Sequence, residues 1–277
     1  MKTHAKKTFL AALLFSTLNA LASTNAFYFV QISDTHHGRT LHHNRFTNAI
    51  ERINKLPFPV EIVAHTGDFA SDNLERTAEA ITNFLSMITI APVICVPGNH
   101  DLSDRGRDPK QRTIDCIETY RKHFGELGAV RETENALYIT VCNEGLFRDF
   151  TGITDFDPIA FLRDALAANT NSKPAFVFTH RPDSDDFYNN QLHPSRMNRR
   201  DEWRKTLADG KATALITGHF HREETHNDSY GVPTYVSGAI AGYWGRQGSY
   251  RVYKYKDGRL SYHTDYIEDP VPDTNAP

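Results

Sequence analysis

The chain has 277 residues, of which 39% are hydrophobic and 23% charged, a composition that is ordinary for one large globular domain. Its formal net charge of −3 argues against a nucleic-acid polymer as partner, because nonspecific affinity for phosphate backbones needs a surplus of Lys and Arg. The 14 histidines are the unusual feature of the composition, and their positions must decide whether they bind metal.

The first residues have the pattern of an export signal. A start rich in lysine precedes an apolar run from Phe9 to Ala22, and Ala20-Leu21-Ala22 fits a small-x-small cleavage site. The run is too short and too polar to span a bilayer well, and the alternative is an amphipathic first helix. We expect residues 1–22 to be a signal peptide and the protein to be periplasmic or extracellular, with no membrane span.

Short apolar runs then alternate with helix-like segments, which predicts an α/β fold. Apolar residues at helical spacing predict helices from Phe46 to Leu56 and from Leu74 to Met87. Asp157-Pro158, a capping residue before a proline, predicts the start of a helix that runs to about Ala168. An Asp257-Gly258 pair predicts a hairpin turn near the end. The predicted strands are Phe27–Ser33, Val60–Thr66, Val93–Pro97, Ala136–Cys142, Ala175–Thr179, Ala214–Thr217, Pro233–Ser237, Tyr250–Tyr255 and Leu260–Tyr266.

Two segments are predicted to lie outside regular structure. Residues 181–198 are polar and read as a long loop, and long loops in compact domains are often functional. The proline-containing tail from Asp269 to Pro277 is predicted to be disordered, so the folded domain would occupy residues 23–268. Cys95, Cys116 and Cys142 have no CxxC pairing and do not indicate a zinc ribbon.

Five short polar motifs each follow an apolar strand-like run. They are Asp34-Thr35-His36, Gly67-Asp68, Gly98-Asn99-His100-Asp101, His180 and Gly218-His219-Phe220-His221. Ligands of α/β sheets gather outside the carboxyl ends of the strands, so these side chains could converge on one place. The pairs Asp-x-His and His-x-His put two side chains on the same side of an extended segment.

The donor set contains nitrogen and oxygen only, which suits first-row divalent or trivalent metal ions such as Mn, Fe or Zn. A carboxylate can bridge two ions, and a pair of ions is a common device in phosphoryl chemistry. Taken singly each motif is weak, because Gly-Asp is mostly a turn and a lone histidine after a strand is mostly structural. The hypothesis of a two-metal site therefore depends on their joint occurrence, in order, at strand ends.

These motifs resemble those of the calcineurin-like metallophosphoesterase superfamily over residues 34 to 221. The resemblance implies a four-layer α/β/β/α sandwich of two mixed sheets flanked by helices. It implies that Asp34, His36 and His221 hold one metal, that Asn99, His180 and His219 hold the other, and that Asp68 bridges them. It also implies that His100 protonates the leaving group and that Asp101 orients His100.

Relatives within the superfamily differ at particular positions. Purple acid phosphatases have Asp-x-Gly first and a tyrosine three residues after the bridging Asp, where this chain has His36 and Ser71. Lipid A pyrophosphatases usually have Arg at the position of His100. The segment from Ser237 to Val252, with Tyr243-Trp244-Gly245, is similar to secreted members of the superfamily.

The expected function is metal-dependent hydrolysis of small phosphoesters, as a phosphodiesterase or phosphatase, by a hydroxide held between the two metals. We expect the loop 181–198 to wall one side of the site. The alternatives are a nuclease, which the acidic charge disfavours, and an inactive binding protein that keeps the fold, which would usually have lost ligands.

Overall fold

The computed structural model describes residues 26–184 and 197–269. Its strands are β1 (Phe27–Ile32), β2 (Val63–His65), β3 (Val93–Cys95), β4 (Gly128–Glu132), β5 (Leu137–Val141), β6 (Ala175–Phe178), β7 (Ala214–Thr217), β8 (Glu224–Asn227), β9 (Pro233–Val236), β10 (Gly248–Lys256) and β11 (Arg259–Ile267). Its helices are α1 (Thr40–Asn54), α2 (Leu74–Ser86), α3 (Pro109–His123), α4 (Pro158–Ala167) and α5 (Arg200–Asp209), with a 3₁₀ turn at Glu144–Leu146.

The strands form two mixed sheets. The first has the order β11-β10-β1-β2-β3, in which β1, β2 and β3 are parallel and the β10–β11 hairpin pairs antiparallel to β1. The second has the order β4-β5-β6-β7-β9-β8, with antiparallel strands at both edges of a parallel centre. The carboxyl ends of the parallel strands in each sheet carry the predicted motifs.

The two sheets pack face to face because their strands alternate. In β1, Phe27 and Phe29 point towards the second sheet, while Val30 and Ile32 point towards the helices of the first. Phe29 stacks on Tyr253 of its own sheet with ring centroids 4.8 Å apart, and it contacts the ring of Phe176 of the other sheet at the same distance. A mostly aromatic layer therefore fills the space between the sheets.

Helices cover the outer face of each sheet. Buried residues of α1, α2 and α3 pack on the first sheet, and those of α4 and α5, including the fully buried Trp203, pack on the second. The order of layers is helix, sheet, sheet, helix. The predicted four-layer α/β/β/α architecture is confirmed.

Most predicted elements are present, with differences in extent. Helix α1 begins at Thr40, six residues before the predicted start, because the only apolar residue of its first turn, Leu41, is exposed and its buried apolar face begins at Phe46. The predicted capping of α4 is confirmed, since the Asp157 carboxylate accepts hydrogen bonds from the backbone of Ile159 and Ala160. Strands β4 and β8 and helices α3 and α5 were not predicted. All three cysteines are free thiols.

Several predictions fall on residues that the structure does not describe. The signal peptide at 1–22 and most of the loop 181–198 lie there, and both stay predictions. Asp269, predicted as the start of the tail, forms an ion pair with the buried Arg45 at 2.5 Å. Across residues 26–184 and 197–269, no helix combines the length and apolarity needed to cross a membrane.

Candidate metal centre

The predicted ligands come together where the two sheets end side by side. Within the first sheet the Asp34 N–H donates to the carbonyl of Gly67, and within the second the Gly218 N–H donates to the carbonyl of His180. The His219 N–H links the sheets directly by donating to Asp34 Oδ2 at 3.1 Å. Asp34, Asp68 and the flanking histidines are thus held by the main frame of the fold.

One group of donors consists of Asp34, His36, Asp68 and His221, whose ligand atoms all lie within 4.8 Å of one another. His221 Nε2 lies 3.0 Å from Asp34 Oδ1 and 3.3 Å from His36 Nε2. All four residues are buried, and Asp34 Oδ1 has no hydrogen-bond partner. Two imidazole nitrogens and an unpartnered carboxylate oxygen facing one point are the arrangement that a cation requires.

A second group lies beside the first and consists of Asp68, His180 and His219. His180 Nε2 is 3.2 Å from Asp68 Oδ2, 3.2 Å from His219 Nδ1 and 3.2 Å from Asn99 Oδ1. The Asn99 carbonyl oxygen therefore belongs to this group as well. Asp68 is common to both groups, so its carboxylate lies between two potential metal positions.

The tautomer of His180 follows from its surroundings. Its Nδ1 lies 2.8 Å from the carbonyl oxygen of Thr66, to which only an N–H can donate. This contact keeps a proton on Nδ1, so Nε2, which faces Asp68, Asn99 and His219, is the nitrogen that would bind a metal in exchange for its proton. A backbone carbonyl that fixes the ring in this way is a common feature of metal-binding histidines.

The backbone at the site adopts conformations that side-chain-bearing residues rarely take. Asp34, His36, Asp68, His219 and His221 all have positive φ, between 42° and 71°. Such left-handed residues cluster at functional sites, where the surrounding fold holds them. Gly98 is restricted in a different way. A Cβ at this position would lie 2.2 Å from Asp68 Oδ1, so there is no room for a side chain.

The electrostatics of the cluster favour a bound cation. Burial raises the pKa of Asp34 and Asp68, but the adjacent histidines, His221 and His180 respectively, outweigh it and leave both carboxylates ionised. Burial lowers the pKa of His36 to about 4, so that ring is neutral and its nitrogen is free to bind metal. Burial also acts to lower the pKa of His180, but Asp68, Asp34 and Glu144 raise it to about 10. A site this rich in carboxylate attracts positive charge, as a proton or as a metal ion.

The partner of His100 differs from the predicted one. His100 Nδ1 lies 3.0 Å from Asp72 Oδ1, and Arg105 contacts the other oxygen of Asp72 at 2.8 Å. Both oxygens of Asp101 instead accept backbone N–H groups, from Phe69, Ala70 and Gly98. The predicted orienting role of Asp101 is therefore wrong, because its carboxylate points into the turns behind the site and away from His100.

The sequence model of the calcineurin-like phosphoesterases matches residues 27–223, which is more than half of the chain. The chain belongs to the calcineurin-like phosphoesterase family. Family and site together indicate a hydrolase of phosphoesters that uses a binuclear metal site. A comparison with curated protein sequences found no match.

Solved structures share the fold of this phosphoesterase at low sequence identity. A purple acid phosphatase from yellow lupin seeds is 13% identical with a TM-score of 0.67, over 89% of this chain and 53% of its own. This chain therefore spans about half of the lupin protein. A dimetal phosphatase from Danio rerio is 13% identical with a TM-score of 0.57, over 87% of this chain and 99% of its own. GAP50, the anchor in the inner membrane complex of Plasmodium, is 12% identical with a TM-score of 0.57, over 90% of each chain.

A cavity of about 1130 Å³ opens over the metal centre of the phosphoesterase. The donors His36, Asp68, His219 and His221 form part of its lining, and His100 lies beside them. Other lining residues come from outside the predicted motifs: Arg39, Asp72, Arg222, Tyr243, Trp244 and Arg246. The wall that the structure describes is thus the segment around Trp244, whereas the wall predicted from loop 181–198 lies largely in undescribed residues.

Asp72 and the arginines at the cavity were missed by the sequence reasoning. Asp72 is four residues beyond the Gly67-Asp68 motif, in the same turn after β2. An acidic residue so close to a predicted ligand was a signal in the sequence that could have identified it as a site residue. Arg39 and Arg246 carry no such signal, because only the fold brings residues 207 positions apart in the chain to one cavity.

Proposed function

We propose that this protein hydrolyses small phosphoesters with two metal ions, chosen from Mn, Fe and Zn by its nitrogen and oxygen donors. The observation that carries the proposal is the position of Asp68, whose carboxylate belongs to two overlapping groups of donors. A bridging carboxylate between neighbouring ions is suited to phosphoryl transfer, where charge develops on several oxygens at once.

The seven donors divide into two sets around Asp68. We propose that Asp34, His36 and His221 hold one ion and that Asn99, His180 and His219 hold the other. The ions would supply charge neutralisation at the phosphate and an attacking water of lowered pKa. The protein residues fix the positions of these charges, and their burial keeps the site from rearranging when substrate binds.

His100 is suited to deliver the proton that the leaving group needs. Its ring lies 5.1 Å from the ring of His36 between centroids, so it borders the same cavity, and its backbone N–H donates to Asp68 Oδ1 at 2.9 Å. Burial acts to lower the pKa of His100, but the negative charges of Asp72 and Asp68 act more strongly in the opposite direction, so the pKa is raised overall. A cationic His100 with Nδ1 on Asp72 has its other ring nitrogen available to donate to the leaving oxygen.

The two alternatives are less well supported. An inactive binding protein has no need of a complete donor set, yet every predicted donor is present and those named above face one another. A nuclease needs a basic surface to hold a polymer, and the chain has a net charge of −3. We therefore favour substrates that fit within the cavity.

The test replaces the shared carboxylate. Wild-type protein loaded with Mn²⁺ should contain close to two ions per chain, and Asp68→Ala should lose most of both, because the carboxylate touches both positions. Hydrolysis of 4-nitrophenyl phosphate and of bis-4-nitrophenyl phosphate should fall with the metal. A control is Asp164→Ala, since Asp164 is 76% exposed and remote from the donors.

Two results would contradict the proposal in different ways. Full metal content and full activity in Asp68→Ala would remove Asp68 from the centre. Two metal ions in a wild-type protein that cleaves neither ester nor any nucleotide would leave a metal-binding protein without the proposed activity.

A further inference from the structure

Trp244 is a large aromatic residue left exposed at the mouth of the cavity. Its side chain is 72% exposed, which is the highest value among the exposed large hydrophobic residues of the described chain. One side of the indole rests on the ring of His221, with centroids 5.0 Å apart and planes inclined by 29°. Most of the indole surface is open to solvent beside a predicted metal ligand.

The turn that presents Trp244 is held rigidly in an unfavourable backbone conformation. Trp244 has φ of 55°, between Gly242 at 60° and Gly245 at 74°. The preceding residues are tied to the first motif, because the N–H groups of Ile240 and Ala241 donate to the carbonyls of Ser33 and Asp34. A bulky residue in this region of φ costs free energy, and a side chain so exposed gains little burial to offset it. Such strain at a site edge points to a role in binding.

Two arginines on the same cavity lack acidic partners. Arg39 and Arg246 both line it, and within the described residues no carboxylate lies within 4.0 Å of either guanidinium. The Arg246 guanidinium lies 5.7 Å from the centre of the Trp244 ring. Arg222 is different, because Glu224 neutralises it at 2.9 Å. Arg39 and Arg246 therefore provide positive charge that no carboxylate of the described residues neutralises.

We infer that Trp244, Arg39 and Arg246 form a subsite for the nucleoside side of a nucleotide that carries a second phosphate beyond the scissile one. The exposed indole would stack on the base, as aromatic side chains stack on nucleobases in general. The arginines would pair with the second phosphate, for which guanidinium groups are well suited. This inference rests on the proposed function for the scissile phosphate, but the subsite can be tested without hydrolysis.

The fluorescence of Trp244 gives a direct test. The chain has two tryptophans, and Trp203 is fully buried under the second sheet, so a ligand that stacks at the cavity should quench the emission of Trp244. The probe is the non-hydrolysable ADP analogue with a methylene bridge between its phosphorus atoms, added to Mn²⁺-loaded protein. Methylenediphosphonate, which has both phosphorus groups and no base, is the matched ligand. We expect quenching with the analogue and none in Trp244→Phe.

Calorimetry of the variants measures the affinity itself. Trp244→Ala should bind the analogue about 10-fold more weakly, within the range that base stacking provides, and Trp244→Phe should recover most of the loss. Arg39→Gln and Arg246→Gln should weaken the diphosphate analogue more than AMP. Tyr230→Ala and Arg131→Gln are matched controls, since both residues are exposed and neither lines the cavity.

The outcomes separate the subsite from the catalytic proposal. Tight binding of the analogue by a protein that hydrolyses neither nucleotides nor the two nitrophenyl esters would uphold the subsite and sink the proposed function. Hydrolysis of both ADP and glycerol 3-phosphate by wild type, with equal losses of rate for the two substrates in Trp244→Ala, would uphold the proposed function and contradict the subsite. Equal affinity of the analogue and methylenediphosphonate for wild type, or a Trp244 signal that responds to lipid vesicles and not to nucleotides, would overturn the subsite.

Discussion

Beside the metal donors, His100 and Asp72 form a pair whose geometry separates proton transfer from metal binding. His100 Nδ1 faces Asp72 at 3.0 Å, while Asn99 Oδ1, one residue earlier, faces His180 Nε2 at 3.2 Å. Adjacent residues in this turn therefore point to different partners. Asp72 in turn is held by Arg105, so the pair has support that does not involve the metal donors.

Removal of the His100 imidazole should lower the rate without removing metal. We expect His100→Ala to reduce kcat for alkyl phosphoesters by about 10²–10⁴-fold, the usual effect of losing a general acid. Asp72→Asn, which keeps the shape but not the charge, should cost about 10-fold, because His100 loses its orientation and its raised pKa. Both losses should shrink for 4-nitrophenyl esters, whose leaving group needs no proton.

Elemental analysis decides how these variants are interpreted. Both should retain the metal content of wild type, and Asp115→Asn, a substitution at an exposed position of α3, should change neither rate nor metal. Loss of metal from His100→Ala would instead identify His100 as a ligand.

At the residue scale the sequence predicted which candidate donors come together but not all of their neighbours. Motif order and strand-end placement were enough for Asp34, Asp68 and His180, because a strand end positions whatever residue follows it. The neighbour of His100 was misassigned because proximity in the chain does not fix direction within a turn. Asp101 follows His100 directly, but its side chain faces the backbone of Phe69 and Ala70.

At the scale of elements, Asp101 joins the turns that follow β2 and β3. Its carboxylate accepts the N–H groups of Phe69 at 3.2 Å, Ala70 at 2.9 Å and Gly98 at 2.9 Å. These turns carry Asp68 and Asn99, which belong to the proposed two-metal centre. A single fully buried side chain thus fixes the relative position of two motifs.

Loss of the Asp101 carboxylate should destabilise the fold. In Asp101→Ala, buried N–H groups that now bond to it would be left without an acceptor, and each such group costs about 1–3 kcal/mol. We expect the free energy of unfolding in urea to fall by about 3 kcal/mol or more, with loss of metal as a consequence. Asp164→Ala on the surface of α4 provides the comparison, and equal stability of the two variants would contradict this role.

The elements that sequence reasoning missed are of two kinds. Helix α3 carried a usable signal, since Asp108 caps it before Pro109 and its buried residues Thr113, Ile117 and Tyr120 recur at helical spacing. Edge strands β4 and β8 carried none, because neither has a fully buried residue and neither shows an alternation of apolar and polar residues. Their partners in the sheet, β5 and β9, define them, and partners are not visible in a local stretch of sequence.

At the scale of the whole molecule, the candidate metal centre draws its donors from both sheets. Asp34, His36, Asp68 and Asn99 follow strands of the first sheet, and His180, His219 and His221 follow strands of the second. Bound metal would therefore resist separation of the sheets. Metal binding is then coupled to the stability of the entire fold.

Removal of metal should accordingly lower the melting temperature. A ligand at about 1,000 times its Kd adds about 4 kcal/mol of stability, which corresponds to a shift of about 10 °C for a domain of this size. We expect EDTA to lower the Tm of Mn²⁺-loaded wild type by about this amount and to leave the Tm of Asp68→Ala nearly unchanged. Coincident melting curves of wild type with and without EDTA would contradict the coupling.

The division of the centre between the two sheets also has a consequence for biosynthesis. A nascent chain that has emerged only as far as Asn99 exposes the donors of the first sheet, but the histidines that complete both groups are still unsynthesised. Metal captured at that stage would be held by an incomplete shell and would exchange freely. We therefore expect selection of the metal to be complete only when His221 has joined the fold, so that the proposed centre would take its metals from the compartment where folding finishes.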